Sequence, residues 1–321
     1  MVERTKMGWF EPKNRRASSP TAQAELLTSR DNKWLKEFRA ALRGGAPTTD
    51  GAVGIEGARL VEEALGSGCK IAAILFSESG EKYRDRLAPI TSRTEPAFPV
   101  LRTTDRLFEG IADTEHPQGV AALVVPRKFE IGELLAMPEE ACSPLLVVLA
   151  GVQDPGNVGT ILRTAAAFGV TGAVTAATGH SGTASPFAPK TLRASAGAAL
   201  HLPIVSGMPL GILLTQFKLN GIRTLATCVE DNPPVDAERT GSGIGASATS
   251  SRSTVVPWEV DWCQASALLV GNEGTGLPEE VLQGADVRVH IPMARNVESL
   301  NAGGAAAVLL YEAYRQRAGR S

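Results

Sequence analysis

The chain has 321 residues, of which 43% are hydrophobic, and a formal net charge of -2 at pH 7. This length allows two ordinary domains, and the apolar share can supply two cores. The near-neutral net charge of the whole chain does not by itself indicate a nucleic-acid partner. No run approaches the ~18 apolar residues of a membrane helix, and the start lacks a signal-peptide core. The sequence therefore predicts a soluble, cytoplasmic protein with no membrane partner.

Basic residues are concentrated near the amino terminus. Residues 1–43 contain ten Lys or Arg against five Asp or Glu. Such a surface either supplies phosphate affinity that does not depend on sequence, or is a solvated helix face beside a flexible tail. Residues 1–22 are polar and are predicted to be a disordered tail. From Leu26 the apolar spacing predicts a helix that ends at Gly44.

Residues 23–127 are predicted to form an amino-terminal α/β domain. After the first helix come a helix at 58–65, strands at 71–76 and 98–101, a helix at 105–111 and a strand at 120–125. Residues 128–142 are predicted to be a charged linker with one short helix at most.

Residues 143–321 are predicted to form a second domain in which strands alternate with helices. The strands are expected at 145–150, 172–176, 202–205, 223–229, 266–270 and 287–291, and the helices at 158–168, 192–200, 210–219 and 302–317. Pro209 suits the first position of the third helix. This alternation indicates a doubly wound, mainly parallel sheet. Residues 231–256 are predicted to be a flexible insertion, because ten of the fourteen residues from 241 to 254 are Gly, Ser or Thr.

Three polar segments follow strands of the second domain. They are 157–163 (NVGTILR), 271–277 (GNEGTGL), and 291–293 (IPM) together with 298–302 (ESLNA). Ligands of open α/β sheets bind at the carboxyl ends of strands. We therefore expect the three segments to form one composite site.

The residue inventory excludes several kinds of chemistry. There is no P-loop, no Gly-x-Gly-x-x-Gly dinucleotide fingerprint and no Gly-x-Ser-x-Gly elbow. The four cysteines and four histidines are scattered, which argues against a zinc site or a disulfide framework and fits a reducing cytoplasm. They are Cys69, Cys142, Cys228 and Cys263, and His116, His180, His201 and His290. Exposed backbone, amides, a carboxylate, a hydroxyl and an arginine remain. This set fits group transfer from a cofactor without a metal.

The three segments resemble motifs one, two and three of the SpoU family, which are RNA 2′-O-ribose methyltransferases of the SPOUT class. The resemblance covers about residues 143–317. The segments 57–64 and 116–120 make the first domain similar to the family's substrate-binding extension, an α/β fold like some ribosomal large-subunit proteins. The resemblance implies a trefoil knot, S-adenosyl-L-methionine bound by the knot loops, and a homodimer in which motif one faces the partner's cofactor.

The resemblance also implies roles for individual residues. The cofactor-binding positions are Gly271, Asn272, Gly276, Ile291, Met293 and Leu300, and the catalytic positions are Asn157, Arg163, Glu273, Ser299 and Asn301. The mechanism proposed for the family implies that Arg163 accepts the proton of the 2′-hydroxyl. The alternative is electrostatic stabilisation of the alkoxide, because arginine keeps its proton in proteins and is a poor base.

The remaining positions have structural alternatives. Asn157 can also cap its helix. Glu273 is expected to orient the arginine or amides across the site. Ser299 and Asn301 are either caps of the last helix or groups that position substrate and cofactor. The chain departs from the family pattern at 302–304 (AGG), where valine and serine are more usual.

The RNA partner is expected to be large-subunit ribosomal RNA, with guanosine as the candidate nucleoside. This expectation rests on the first domain, which the transfer-RNA branch of the family usually lacks. The alternatives are a transfer-RNA 2′-O-methyltransferase and a catalytically silent RNA-binding protein on the same fold.

Overall fold

A computed structural model describes residues 25–91, 98–136, 143–177, 182–229, 254–294, 297 and 299–319. The predicted tail at 1–22 and most of the predicted insertion at 231–256 lie outside these ranges. The last residues of that insertion form a short strand, β10 (Thr254–Val255), and then lead into a 3₁₀ turn.

The first module contains a five-stranded mixed sheet. Its strands are β1 (Glu25–Leu27), β2 (Val53–Glu56), β3 (Lys70–Ser77), β4 (Val100–Thr103) and β5 (Val120–Val125), in the spatial order β1-β4-β3-β5-β2. Its helices are α1 (Lys33–Arg43), α2 (Ala58–Gly66), α3 (Arg84–Thr91) and α4 (Asp105–Glu109). Strand β5 runs antiparallel to β3 and β2, whereas β1 and β3 run parallel to β4. The predicted α/β class of this part is confirmed.

The helix predicted from Leu26 begins later than its apolar spacing suggested. Leu26 and Leu27 belong to β1, where Leu27 is buried and pairs with Thr103. Helix α1 begins after Asn32, whose side chain accepts a hydrogen bond from the Trp34 N–H at 2.8 Å. The residue that caps the helix therefore decides where it begins. Strands β1 and β2 and helix α3 were not predicted.

The second module contains a seven-stranded sheet in which every pairing is parallel. Its other strands are β6 (Leu145–Ala150), β7 (Gly172–Ala177), β8 (Ile204–Pro209), β9 (Arg223–Thr227), β11 (Ser266–Val270) and β12 (Val287–Val289). The spatial order is β10-β12-β9-β11-β6-β7-β8. The predicted parallel α/β sheet is confirmed.

Helices cover both faces of this sheet. They are α5 (Ile131–Leu135), α6 (Pro155–Ala167), α7 (Pro189–Ala194), α8 (Leu210–Leu219), α9 (Glu279–Gly284) and α10 (Ala302–Ala318). Buried residues of α6, α7 and α10 pack on one face, and those of α5, α8 and α9 pack on the other. Helix α5 is the one short helix that the linker was predicted to allow.

Two details of the second module differ from the sequence expectation. The helix predicted at 192–200 is interrupted, because Ala196 and Gly197 have φ angles of 51° and 87°. Helix α7 therefore ends at Ala194 and a 3₁₀ turn follows. Helix α8 has the predicted bounds, but Pro209 ends β8 and is the N-cap of α8, so it does not take the first helical position.

The two modules share one hydrophobic core and are joined by polar contacts. Buried side chains of α2 and β3 belong to the same cluster as those of β6 and α6. The Arg193 guanidinium lies 2.7 Å from Asp113, and His201 Nε2 lies 3.1 Å from Glu63. The predicted domain limits of 23–127 and 143–321 remain a prediction.

Arg317 should be needed for the stability of the second module. Its guanidinium donates to the carbonyls of Ser143 and Pro144 before β6, and to those of Trp262 and Gln264 before β11. Arg317→Lys leaves several of these acceptors unpaired, so the free energy of unfolding in urea should fall by about 2 kcal/mol. Arg315→Lys, at an exposed position two residues earlier, should change it by under about 0.5 kcal/mol. Equal effects would contradict this role.

Candidate active site

The three motif segments leave the sheet at the same edge. Strand β11 pairs directly with β6, with Val270 opposite Leu149, so the first two segments are neighbours. Strand β9 separates β11 from β12, which places the start of the third segment two strand spacings, about 10 Å, from the second. The predicted convergence at the carboxyl edge therefore follows from the strand order.

Helix α6 begins in the first segment, and Asp154 is its N-cap. The Asp154 carboxylate accepts from the Gly156 N–H at 3.0 Å, and Pro155 takes the first helical position. Asn157 therefore lies inside the first turn, and the prediction that Asn157 caps the helix is wrong. The sequence signal that was overlooked is the Asp-Pro pair, a strong start signal for a helix.

Glu273 of the second segment connects the first two segments. Its carboxylate accepts from the Asn157 side-chain amide at 3.0 Å and from the N–H groups of Gln153 and Asp154 at 3.2 Å each. Partial burial raises the pKa of Glu273, but these hydrogen bonds outweigh it, so the pKa lies below the ordinary value. Glu273 is therefore an anion that orients amides, one of the two roles predicted for it.

The rest of the second segment forms a tight loop. Asn272 and Gly276 exchange main-chain hydrogen bonds, and the Asn272 amide donates to the Gly151 carbonyl at 2.9 Å. A Cβ on Gly271 would lie 2.4 Å from the Gly276 carbonyl carbon, so only glycine fits there. The side chain of Asn272 and the main chain of Gly276 thus shape the loop. Asn272 and Gly276 were also predicted to bind the cofactor. Such binding would have to use atoms of these residues that do not take part in the hydrogen bonds of the loop.

The third segment leads into α10, and Asn301 is the N-cap of that helix. Its side chain accepts from the Gly304 N–H at 2.6 Å. Ser299 and Leu300 are exposed, whereas Ile291 and Met293 are half-buried. The main-chain groups of residues 291–294 form no hydrogen bond with the described part of the chain.

Helix α10 approaches α6 closely at Gly303. A Cβ at this position would lie 3.0 Å from Thr160 Cγ2 and 3.7 Å from the Asn157 side-chain oxygen. The absence of a side chain at 303 therefore lets the third segment reach the first. This contact gives a structural reason for the departure from the family pattern at residues 302–304.

Arg163 lies apart from the Glu273 contacts. It is exposed on α6, six residues after Asn157, which is about 9 Å along the helix axis. No hydrogen bond or ion pair joins its side chain to another residue that the structure describes. The structure therefore does not contain the predicted alternative in which Glu273 orients Arg163.

The basic residues of α1 are engaged in contacts of their own. The Arg39 and Arg43 guanidinium groups donate to main-chain carbonyls of residues 109, 110 and 112. Lys33 and Lys36 pair with Glu37 and Asp31. These contacts favour a structural role for this helix over the phosphate-binding alternative.

Two negative findings apply to the described ranges. They contain no cluster of three or more His, Cys, Asp or Glu side chains that could hold a metal ion. They also contain no helix with both the length and the apolar character needed to span a bilayer.

The chain belongs to the SpoU rRNA methylase family, whose model matches residues 144–311. Residues 48–122 match a second model, described as an MRM3-like substrate binding domain. Family membership makes the chain an RNA methyltransferase. The predicted recognition is thereby confirmed for both modules.

Full-length relatives agree with this assignment. An uncharacterised tRNA/rRNA methyltransferase of Synechocystis is 32% identical, covering 92% of this chain and 96% of its own length. The 23S rRNA (guanosine(2553)-2′-O)-methyltransferase RlmP of Bacillus subtilis is 29% identical, covering 89% and 97%. The solved AdoMet-bound rRNA methyltransferase of Sinorhizobium meliloti is 27% identical, with a TM-score of 0.71 and coverage of 91% and 98%.

Gly303→Val should reduce both methyl transfer and stability. Its side chain would meet Thr160 and displace α10 from α6, and overpacking of this kind costs about 1–3 kcal/mol. Single-turnover methyl transfer should fall at least tenfold. Gly211→Val is the matched control, because Gly211 is also the second residue of a helix and has open space around it. Equal losses in both variants would show that helix propensity alone is responsible.

Glu273→Gln should weaken the junction between the first two segments. In the variant, an NH2 group replaces one of the carboxylate oxygens that now accept hydrogen bonds from neighbouring N–H groups. The free energy of unfolding should therefore fall by about 1 kcal/mol. Because the folded pKa is lowered, this stability is present above pH 4.5 and is lost as the pH falls through the folded pKa. Urea titrations at pH 7 and pH 3 test this against Glu280→Gln, an exposed control. A pH-independent difference would contradict the account.

Proposed function

We propose that this enzyme transfers the methyl group of S-adenosyl-L-methionine to a ribose 2′-hydroxyl of large-subunit ribosomal RNA, with guanosine as the first candidate. The observation that carries the proposal is the junction of Asn157 and Glu273 at the edge from which all three motif segments leave the sheet. The Bacillus subtilis relative methylates a guanosine of 23S rRNA at the same position of the sugar.

The residues of the second and third segments fit the cofactor. Main-chain groups of residues 291–294 are not used by the described chain, and Leu300 offers an apolar side chain that is 43% exposed. Backbone groups and apolar surface suit an adenosine moiety. When bound, the cofactor supplies the electrophilic methyl group. Gly271, Ile291, Met293 and Leu300 are proposed to hold it.

Arg163 is proposed to act on the acceptor ribose. An arginine guanidinium keeps its proton in proteins and is therefore a poor proton acceptor. A fixed positive charge beside the 2′-oxygen instead stabilises the negative charge that develops as the hydroxyl attacks. Asn157, Ser299 and Asn301 are proposed to position the ribose and the loops around it.

A homodimer is proposed because α6 and α10, the helices that follow the first and third segments, present exposed aromatic side chains. Tyr311 and Tyr314 are 54% and 46% exposed, and their rings lie 5.6 and 5.7 Å from that of Phe168 at the end of α6. A second copy that covers this surface would bring Arg163 of one subunit toward the cofactor loops of the other. The isolation of Arg163 from Glu273 supports this arrangement.

We also propose the trefoil knot and a cytoplasmic location. Supporting the knot, α10 begins against α6, although the strand before it, β12, lies on the far side of β9 and β11. Supporting the location, Cys69 and Cys263 form no disulfide, as expected in a reducing compartment.

The direct experiment measures methyl transfer from labelled cofactor to isolated large-subunit ribosomal RNA and to bulk transfer RNA. Alkaline hydrolysis then identifies 2′-O-methylation, because the methylated ribose protects the adjacent phosphodiester bond. Label in ribosomal RNA is the expected result. Label confined to transfer RNA favours the second candidate substrate, and no label in either favours a silent RNA-binding protein.

Arg163→Ala should lower the single-turnover rate at least a hundredfold, because the alkoxide loses its positive charge. Arg163→Lys should recover part of the rate. Cofactor affinity, measured by calorimetry, should stay within twofold, since the proposed cofactor groups lie in other loops. Lys218→Ala on α8 is the control. A rate for Arg163→Ala within tenfold of wild type would remove Arg163 from the mechanism.

The dimer can be tested through the tyrosines on α10. Tyr311→Ser combined with Tyr314→Ser should shift the mass in analytical ultracentrifugation from dimer to monomer and lower activity in parallel. Ile212→Ser with Leu219→Ser is the matched control, because these residues of α8 are similarly exposed. A wild-type protein that is monomeric and fully active would contradict the proposal.

A further inference from the structure

A strip of basic side chains runs from the first module to the second, beside the start of the first motif segment. Lys190 and Arg193 lie three residues apart on α7 and so share a face of that helix. Arg59 lies in the first turn of α2 and is exposed. We call these three residues the basic strip.

One end of the basic strip lies at the candidate active site. Lys190 Nζ lies 3.3 Å from the Asp154 carboxylate, whose residue caps α6. The Asp154 N–H in turn donates to Glu273, which also holds the Asn157 amide. Lys190 is therefore positioned by the same network that joins the first two motif segments.

The other end of the basic strip lies between the modules. Arg59 and Arg193 line one cavity of about 210 Å³, together with Glu56 and Gln118. The acidic groups here are already engaged. Glu56 accepts from the Asp113 N–H and from the Thr114 hydroxyl, and the Asp113 carboxylate accepts from Arg193 at 2.7 Å.

The basic strip has more hydrogen-bond donors than its present contacts use. A lysine carries three N–H donors and an arginine five. Within the described chain, Lys190 and Arg193 each make one side-chain bond and Arg59 makes none. Exposed ion pairs contribute little to stability, so a phosphate can engage these donors without a large penalty.

We propose that Arg59, Arg193 and Lys190 form a phosphate-binding track that guides a single-stranded segment of the RNA substrate from the first module to the motif loops. The identity of the RNA rests on the proposed function. The track differs from the phosphate-binding surface that the amino-terminal charge pattern had suggested for α1, where Arg39 and Arg43 donate to main-chain carbonyls. It positions the strand and leaves sequence selection to other surfaces.

The test measures binding of isolated large-subunit ribosomal RNA and of oligouridine as a function of salt. The triple variant Arg59→Gln, Lys190→Gln, Arg193→Gln should bind both RNAs at least tenfold more weakly. The slope of log affinity against log salt should fall by about 0.7 for each phosphate of a single strand that the variant no longer neutralises. Lys218→Gln, on the opposite face of the sheet, should leave the affinity and the slope unchanged.

Asp113→Asn separates phosphate binding from attachment of the modules. It removes the same ion pair as Arg193→Gln but keeps the guanidinium. If Arg193 binds phosphate, Arg193→Gln weakens RNA binding and Asp113→Asn does not. Equal losses of RNA affinity, with equal drops in melting temperature, would overturn the assignment of Arg193 to the track.

Methylation assays on the same proteins distinguish failure of the track from failure of the proposed function. If wild type methylates ribosomal RNA and the triple variant keeps its KM and salt slope, the track is wrong while the function stands. If wild type methylates no RNA but the triple variant loses oligouridine binding, the function is wrong while the track stands.

Discussion

The position of β11 between β6 and β9 is the constraint on which the rest of the structure depends. Because all pairings in this sheet are parallel, that order puts the loop after Val270 directly beside the loop that begins α6. Only then can the Glu273 carboxylate accept from the Asn157 amide and from two main-chain N–H groups at once. A side chain at Gly271 would break the tight loop that carries Glu273. The backbone of this loop thus fixes the position of the Glu273 carboxylate, and the carboxylate in turn orients the groups that donate hydrogen bonds to it.

Helix α10 fixes the third segment relative to the first two, because contacts hold both ends of the helix. At its carboxyl end, Arg317 binds carbonyls just before β6 and β11, the two strands that carry the first two segments. At its amino end, Gly303 allows contact with Thr160, and Asn301 caps the helix. Displacement of either end would change the position of the third segment relative to Asn157. Contacts at the two ends of one helix therefore fix the position of the third segment.

The sequence predicted those parts of the fold that local patterns determine. Strands β6 and β11 are continuous apolar runs because both faces of the parallel sheet are covered, and these runs were sufficient to predict them. Strands β1 and β10 have three residues or fewer and form through pairing with β4 and β12, far away along the chain, so no local pattern marks them. The motifs predicted one composite site in which Glu273 orients the arginine or amides, but they did not single out its contact with Asn157. The link from Lys190 through Asp154 to this pair could not be predicted, because it arises only when α7 packs beside α6.

The most direct test of the central claim is a map of ribose methylation in large-subunit ribosomal RNA from a strain that lacks this protein. The account predicts that one 2′-O-methylated ribose disappears from the map. Expression of the wild-type protein should restore it, and expression of the Arg163→Ala variant at the same level should not. A map identical to that of the parent strain would contradict the assignment of large-subunit ribosomal RNA as the substrate.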